Sequence, residues 1–483
     1  MVRIPQIIQG GMGAAVSNWR LAQAVSRLGQ LGVVSGTALD HILARRLQDG
    51  DPDGHVRRAL AHFPYPGIAQ RILDTFLVPG GRSESTPYVA VAMHSINEGP
   101  WLHELCMAGN FVEVFLAREG HTNPVGINYL EKIQLPHLAS LYGAMLAGVA
   151  VVIVGAGIPA EIPAALDALA QHQLASYPIH VSGAPRGEYR ATFDPAEFRA
   201  EATHGHVPLE RPVFLPIVSS DTLATMLLRR AHGGIGGFIV EGPRAGGHNA
   251  PPRGPLQLTA EGEPVYGPRD VVDLGVIKAL GMPFWLAGEY GSSERLHEAL
   301  AAGATGVQVG TAFALCLESG LAPEYRRALI QKALLGEAKV FTDPHASPTG
   351  FPFKVACLER TLSDPAVYSQ RRRLCDLGFL REPYMRADGT IGYRCPAEPA
   401  AAYVAKGGKP EDSAERKCLC NALVANVGMP QRLPSGEVEP CLITMGDGIA
   451  DIGRFCSLEH PDYTAADVVR VLLGAPAEAG PAG

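Results

Sequence analysis

With 483 residues, 47% hydrophobic and 18% charged, the chain exceeds one ordinary domain and can bury a large core, which excludes a disordered or fibrous protein. Its net charge of −7 argues against nucleic acid as the main partner, because phosphate binding needs a basic surface. Nine cysteines, an N-terminus without a signal-peptide apolar segment and no run of about 18 apolar residues predict reduced thiols in a soluble cytoplasmic protein without a membrane span.

The chain opens with an apolar run, Ile4 to Gln9, stopped by Gly10-Gly11, and then a helical spacing from Asn18, a predicted N-cap, to Leu28. Val33-Val34 predicts a second strand. Helical patterning follows from Asp40 to about Phe76, broken at Asp51-Pro52 and Pro64 to Pro66. Val89 to Ala92 and Phe111 to Leu116 read as strands flanking a helix near Pro100 to Met107, in an insertion near residues 80–120. Six further short apolar runs are each followed by a helical segment: Gly126 to Tyr129, Val151 to Val154, Phe214 to Ile217, Phe238 to Val240, Phe284 to Leu286 and Val307 to Val309. Pro178 to Val181 and the polar segment 183–211 are set aside as decoration. Eight alternating strand and helix pairs predict a parallel sheet closed into a (β/α)8 barrel, the TIM-type α/β fold, over residues 1–360.

Glycines follow the strands at Gly10-Gly11, Gly155, Gly242 to Gly247, Gly288 and Gly310. They gather on the rim where barrels carry their chemistry. Within Gly236 to Gly254, a β-branched run leads into Glu241 and then Gly246-Gly247-His248. Two residues without Cβ let the backbone approach a flat ligand, and an imidazole beside it can move or donate a proton near neutral pH. The loops after the seventh and eighth strands, with a helix N-cap at Ser292 or Ser293, predict a phosphate cradle and so a phosphorylated cofactor.

IIQGGMG (Ile7 to Gly13), GIN (Gly126 to Asn128), GAGIP (Gly155 to Pro159), EGPRAGGH (Glu241 to His248) and AG followed by GVQVGT (Ala287-Gly288, Gly306 to Thr311) occur in order. Together they resemble the nitronate monooxygenase (2-nitropropane dioxygenase-like) family, whose relatives include FMN-dependent enoyl-ACP reductases. The resemblance implies FMN across the barrel mouth. Gln9, Gly10, Gly11, Met12 and Asn128 would hold the ring edge, with Gly246, Gly247 and Gln308 beside it. Gly288, Gly291, Gly310 and Thr311 would hold the phosphate, and His248 would face the substrate as the catalytic residue. Glu289 departs from the family pattern, which has glycine there, and its carboxylate is expected to turn away from the phosphate.

Other residues carry weaker expectations. Glu241 is a candidate second acid or base. His94, His121, His204, His206 and His345 do not have metal-ligand spacing, and the loop Asp343 to Phe353 is expected to fold over the site. Residues 361–483 read as an appended subdomain holding, with Cys357, seven of the nine cysteines. Cys375, Cys395, Cys418 and Cys420 are the best metal quartet, but paired C-x-x-C spacing is absent, so buried thiols and no metal are expected. The last residues, Ala475 to Gly483, read as a frayed tail.

The leading expectation is an oxidoreductase that oxidises alkyl nitronates with O2. The alternatives are an FMN-dependent NAD(P)H enoyl-thioester reductase and, in another class, a non-catalytic barrel scaffold. The expected partners are a small-molecule substrate, nitronate or enoyl thioester, and O2; a homo-oligomer is left open.

Overall fold

The computed structural model describes residues 4–203, 207–231, 234–433 and 435–475; His204, His206 and nearly all of the predicted tail lie outside them. The eight apolar runs form eight strands: β1 (Ile7–Gln9), β2 (Gly32–Ser35), β3 (Val125–Leu130), β4 (Val151–Gly155), β5 (Val213–Val218), β6 (Phe238–Glu241), β7 (Phe284–Ala287) and β8 (Gly306–Val309). All pair in parallel, each with its sequence neighbour, and β1 pairs with β8. Gln9 N donates to Leu31 O at 2.9 Å and Leu31 N to Ile7 O at 3.0 Å, which joins β1 to the start of β2 and closes the barrel.

Alternation along each strand sorts side chains between two apolar environments. Ile8, Leu31, Val33, Val151, Ile153, Leu215, Ile239, Trp285 and Ala287 fill the barrel interior. Their neighbours Ile7, Val34, Val152, Phe214, Phe238 and Leu286 pack outward under the helices. Burial on both faces explains why these strands read as continuous apolar runs.

The helix after β1 is Trp19–Arg27, with Asn18 capping it by accepting from Leu21 N at 3.0 Å. Helices Leu39–Gln48, His55–Leu60 and Pro66–Phe76 follow, broken where the prolines and Asp51 predict. Two predicted strands are not strands. Val89 to Ala92 lies in an irregular segment, where Gln48 Oε1 accepts from Val89 N at 2.7 Å in place of a ladder partner. Phe111 to Leu116 belongs to one long helix, Pro100–Arg118. That helix is buried nearly all round; a Cβ on Gly109 would lie 2.5 Å from Leu39 O, so the chains touch backbone to backbone. A helix without a polar face shows the same apolar run as a strand. The segment set aside as decoration is a hairpin, Ala175–Ile179 with Tyr189–Phe193, followed by a 3-10 turn, Pro195–Glu201.

Residue 360 is not where packing divides. Ile443, Met445, Ile449, Ile452, Tyr463, Val468 and Leu472 share one apolar cluster with Ile7, Leu286, Val307 and Phe313 of the barrel. Within residues 371–418 an antiparallel pair, Glu382–Met385 with Ile391–Arg394, lies outside the barrel sheet, while Leu377 and Phe379 pack into the core cluster that holds Val34, Ile127 and Phe214. Among the described residues no helix is long and apolar enough to cross a membrane.

Candidate active site at the barrel mouth

The loops after β1, β3, β6, β7 and β8 enclose a cavity of about 240 Å³ on the C-terminal rim. Its walls include Gly10, Gly11, Met12, Asn128, Gly246, Gly247, His248, Gly288, Gly291, Gln308, Gly310 and Thr311. Every residue expected at the site lines it except Gln9, whose side chain builds the wall instead. Gln9 Nε2 donates to Ser17 Oγ at 2.8 Å and its Oε1 accepts from Val33 N at 2.9 Å, tying β1 to β2. Ser17 Oγ also accepts from Met12 N at 2.9 Å and donates to Gly10 O at 2.9 Å, which fixes the first loop.

The chemistry of the lining suits a flat ligand with polar edges. Asn128 Oδ1 and Gln308 Oε1 are buried acceptors with no protein partner, and both residues line the cavity. Buried acceptors are rarely left unpaired, so a donor on a bound group fits them. Gly247 and Gly291 have open space where a Cβ would project, which leaves room for close approach.

His248 is held by the segment expected to fold over the site. It lies in a two-residue strand, Gly247–His248, that pairs antiparallel with Phe353–Ala356, itself paired with Val340–Asp343. His248 Nε2 and Ser347 Oγ are 2.7 Å apart, and the imidazole meets the Phe353 ring edge-on with centroids 4.9 Å apart. Burial pushes this imidazole down to about 4, so it is neutral at neutral pH rather than poised to titrate there. Glu241, at the end of β6, shows the opposite shift for the same reason: burial raises its carboxyl to about 8, so it carries a proton. The cavity therefore presents two neutral groups, an imidazole and a carboxylic acid, beside glycine-rich backbone.

Glu289 takes a left-handed backbone with φ of 63°, the conformation glycine adopts most readily. Its carboxylate pairs with Arg244 from the β6 loop. The ion pair offsets the carboxylate charge and leaves the backbone N–H groups of the loop for an anion.

A wall the sequence reading missed comes from the C-terminal chain. Leu423, Thr444, Met445, Gly446, Gly448, Asp451 and Phe455 all line the cavity. Gly247 N donates to Thr444 Oγ1 at 2.8 Å, and Gly446 N to Thr311 Oγ1 at 3.0 Å. A Cβ on Gly246 would lie 2.9 Å from Gly446 N, so glycines on both strands of chain permit the contact. The available signal was the glycine pair in Gly446-Asp447-Gly448 just after Thr444.

The other histidines lie elsewhere. His121 Nε2 is 2.8 Å from Ala117 O, and His345 donates its backbone N–H to Asp343. His94 sits deep behind the rim, with Nε2 3.0 Å from Asp40 Oδ2 and Nδ1 2.8 Å from Glu98 Oε2. Burial alone would push it down, but Cys106, Asp40 and Glu98 hold it well above its ordinary value. As an imidazolium between two carboxylates it supplies the positive charge they need.

Part of the site lies in a segment similar to a known protein family. The nitronate monooxygenase family model matches residues 211–345, from the start of β5 to the loop over the cavity, which includes Glu241, His248 and the loops after β7 and β8. No curated protein matches the chain. Among solved structures, similarity extends to FabK from Thermotoga maritima, at 19% identity over 76% of this chain and 73% of that one, with a TM-score of 0.39. It extends also to a nitroalkane oxidase from Streptomyces ansochromogenes, at 16% identity over 97% and 94%, with a TM-score of 0.46. The enoyl reductase domain of MlnA from Bacillus amyloliquefaciens matches at 12% identity over 74% and 64%, with a TM-score of 0.34. Over residues 211–345 the chain is thus similar to the nitronate monooxygenase family, and Glu241, His248, Gly288 and Gly310 within that span stand around one rim.

Proposed function

We propose that the chain binds FMN across the barrel mouth and oxidises alkyl nitronates with O2. Bound there, the flavin would accept electrons from the substrate and pass them to oxygen. Gly10 to Met12, Asn128 and Gln308 would hold the ring, Gly246 and Gly247 would let it approach the backbone, and the N–H groups around Gly288, Gly291, Gly310 and Thr311 would take the phosphate. The lining lacks a dinucleotide fingerprint, G-x-G-x-x-G after a strand, which favours a mononucleotide.

The observation that carries the choice of substrate is the protonation of the cavity. An imidazole pushed down to about 4 is a poor base, so a neutral nitroalkane would not lose its proton to it. A nitronate arrives already ionised, and needs donors to hold its oxygens. The protonated Glu241 carboxyl, raised to about 8, supplies one such donor, and a neutral imidazole N–H can supply another.

The charge of the mouth weighs against a carrier-bound or phosphate-bearing thioester. Arg244 is paired with Glu289, Arg295 with Glu298, and Arg454 with Glu294 and Asp451. An acidic carrier or a nucleotide phosphate would have to displace one of these carboxylates. The test is oxygen uptake with a short-chain nitronate, run beside NADH consumption with a crotonyl thioester. Nitronate-dependent uptake that exceeds thioester-dependent NADH oxidation is expected. Fast NADH oxidation with negligible nitronate-dependent uptake moves the assignment to the enoyl reductase.

A further inference from the structure

Behind the rim, three side chains with metal-binding atoms meet from separate stretches of chain. Asp40 lies in the first turn of helix Leu39–Gln48, Cys106 in helix Pro100–Arg118, and His94 in the stretch before that helix, where residues 77–99 hold no helix or strand. Stretches of that kind longer than about 15 residues are uncommon in a compact domain and need contacts of their own to hold them. All three side chains are at most 2% exposed. Among the described residues this is the one group in which three such atoms all lie within 4.8 Å of one another. Successive members are 54 and 12 positions apart, so no close spacing marks the group in the sequence.

We propose that Asp40, His94 and Cys106 bind one zinc ion, with a water as the fourth ligand. The distances carry the proposal. His94 Nε2 and Asp40 Oδ2 are 3.0 Å apart, and Cys106 Sγ is 3.8 Å from that nitrogen and 3.9 Å from that oxygen. A tetrahedral ion with Zn–N and Zn–O of about 2.0 Å and Zn–S of about 2.3 Å separates its ligand atoms by about 3.3–3.5 Å. Each edge of the triangle is within about half an ångström of that geometry. One nitrogen, one oxygen and one sulfur form a donor set that suits zinc, whereas magnesium and calcium take oxygen ligands.

The surroundings supply the rest of such a site. His94 Nδ1 is 2.8 Å from Glu98 Oε2, so the ring nitrogen turned away from the ion donates to a carboxylate, the contact that fixes the ring of a zinc-binding histidine. Asp40 Oδ1, the oxygen left over, accepts from His41 N at 2.8 Å. Asp40 and Cys106 also border a cavity of about 10 Å³, the space of one water molecule. His137 stands on the wall of that cavity, its Nε2 donating to Leu130 O at 3.2 Å and its Nδ1 a buried acceptor without a partner among the described residues. A water held by the ion gives that nitrogen its missing donor.

Charge balance agrees with ligation. With His94 an imidazolium and Cys106 a thiol, the group formed with Asp40 and Glu98 carries one net negative charge. A zinc ion that displaces the Nε2 proton and the thiol proton leaves that charge unchanged, so binding buries no new net charge. Burial otherwise keeps the thiol protonated, and a dication at bonding distance is what draws that proton off. So bound, the ion pins the irregular stretch to two helices that pack on each other.

The experiment is elemental analysis and X-ray absorption at the zinc edge on the full-length protein, incubated with zinc and then freed of loose metal by gel filtration. About one zinc per chain is expected, with one sulfur at about 2.3 Å and three lighter ligand atoms at about 2.0 Å. Zinc should be lost in Cys106→Ala and kept in Cys418→Ala, whose sulfur belongs to the separate cysteine group with Cys395. Zinc at background in the wild type would overturn the site, as would a zinc shell with no sulfur or with two or more, and both readings are made on the unmutated chain. Zinc retained at one per chain in Cys106→Ala would overturn it as well.

Discussion

Replacing His248 by alanine is expected to leave the flavin bound and to lower kcat/KM for nitronate by about 10²- to 10⁴-fold, the range for a positioned proton donor or acceptor. The loss should be large because the imidazole is fixed from two sides, by Ser347 at Nε2 and by the edge of Phe353, so no other group can take its place. Flavin should be retained because Gly10 to Met12, Asn128, Gln308 and the proposed phosphate cradle lie on other loops, and Gly246 and Gly247 act through backbone that the substitution leaves in place. The wild-type pH profile sharpens the expectation. His248 takes up a proton only as pH falls through about 4, and Glu241 loses its own as pH rises through about 8, so activity should be flat between these limits. The limb above about 8 should vanish in Glu241→Gln, which keeps the neutral shape. Near-normal kcat/KM in His248→Ala at all pH values would reduce His248 to a packing residue.

The same shifts govern stability, with signs that can be worked out. His248 resists protonation in the folded chain, so its contribution is present above 6.5, its ordinary value, and is lost as pH falls through about 4. Glu241 ionises near 4.5 when unfolded but only near 8 when folded, so stability falls as pH rises across that window. Glu241→Gln should remove that fall, which melting curves of the flavin-free protein would show.

Ending the chain at Glu439 is expected to abolish folding. The removed segment buries Ile443, Met445, Ile449, Ile452, Val468 and Leu472 against barrel strands and helices. At about 1.5–3 kcal/mol for each such side chain, the loss matches or exceeds the 5–15 kcal/mol by which whole proteins are stable. The truncated chain should give no cooperative melting transition and bind no flavin. A cooperative transition near that of the full chain would show that the segment is a true appendage.

What was legible in the sequence follows from burial. Each barrel strand is covered on both faces, so it reads as a short β-branched run, and the glycine after it marks the rim where backbone must approach a ligand. Eight strands and the glycines of the rim came from those two signals, the helix cap at Asn18 came from helical spacing, and Asn128, Gln308 and the role of His248 came with the resemblance. The second half of helix Pro100–Arg118 escaped because its own burial erased the polar face that marks a surface helix. The wall from Thr444 to Phe455 escaped because contact across some two hundred residues leaves no periodicity, only Gly446 and Gly448. The state of His248 was misread for a related reason: residue type suggests titration near neutral pH, but the loop that buries the ring lies a hundred residues downstream.

The measurement that tests the account most directly is the mass and amount of the flavin released when the purified protein is denatured. The account predicts FMN at about one per chain, retained in His248→Ala. FAD, or no flavin after reconstitution with FMN, would contradict it.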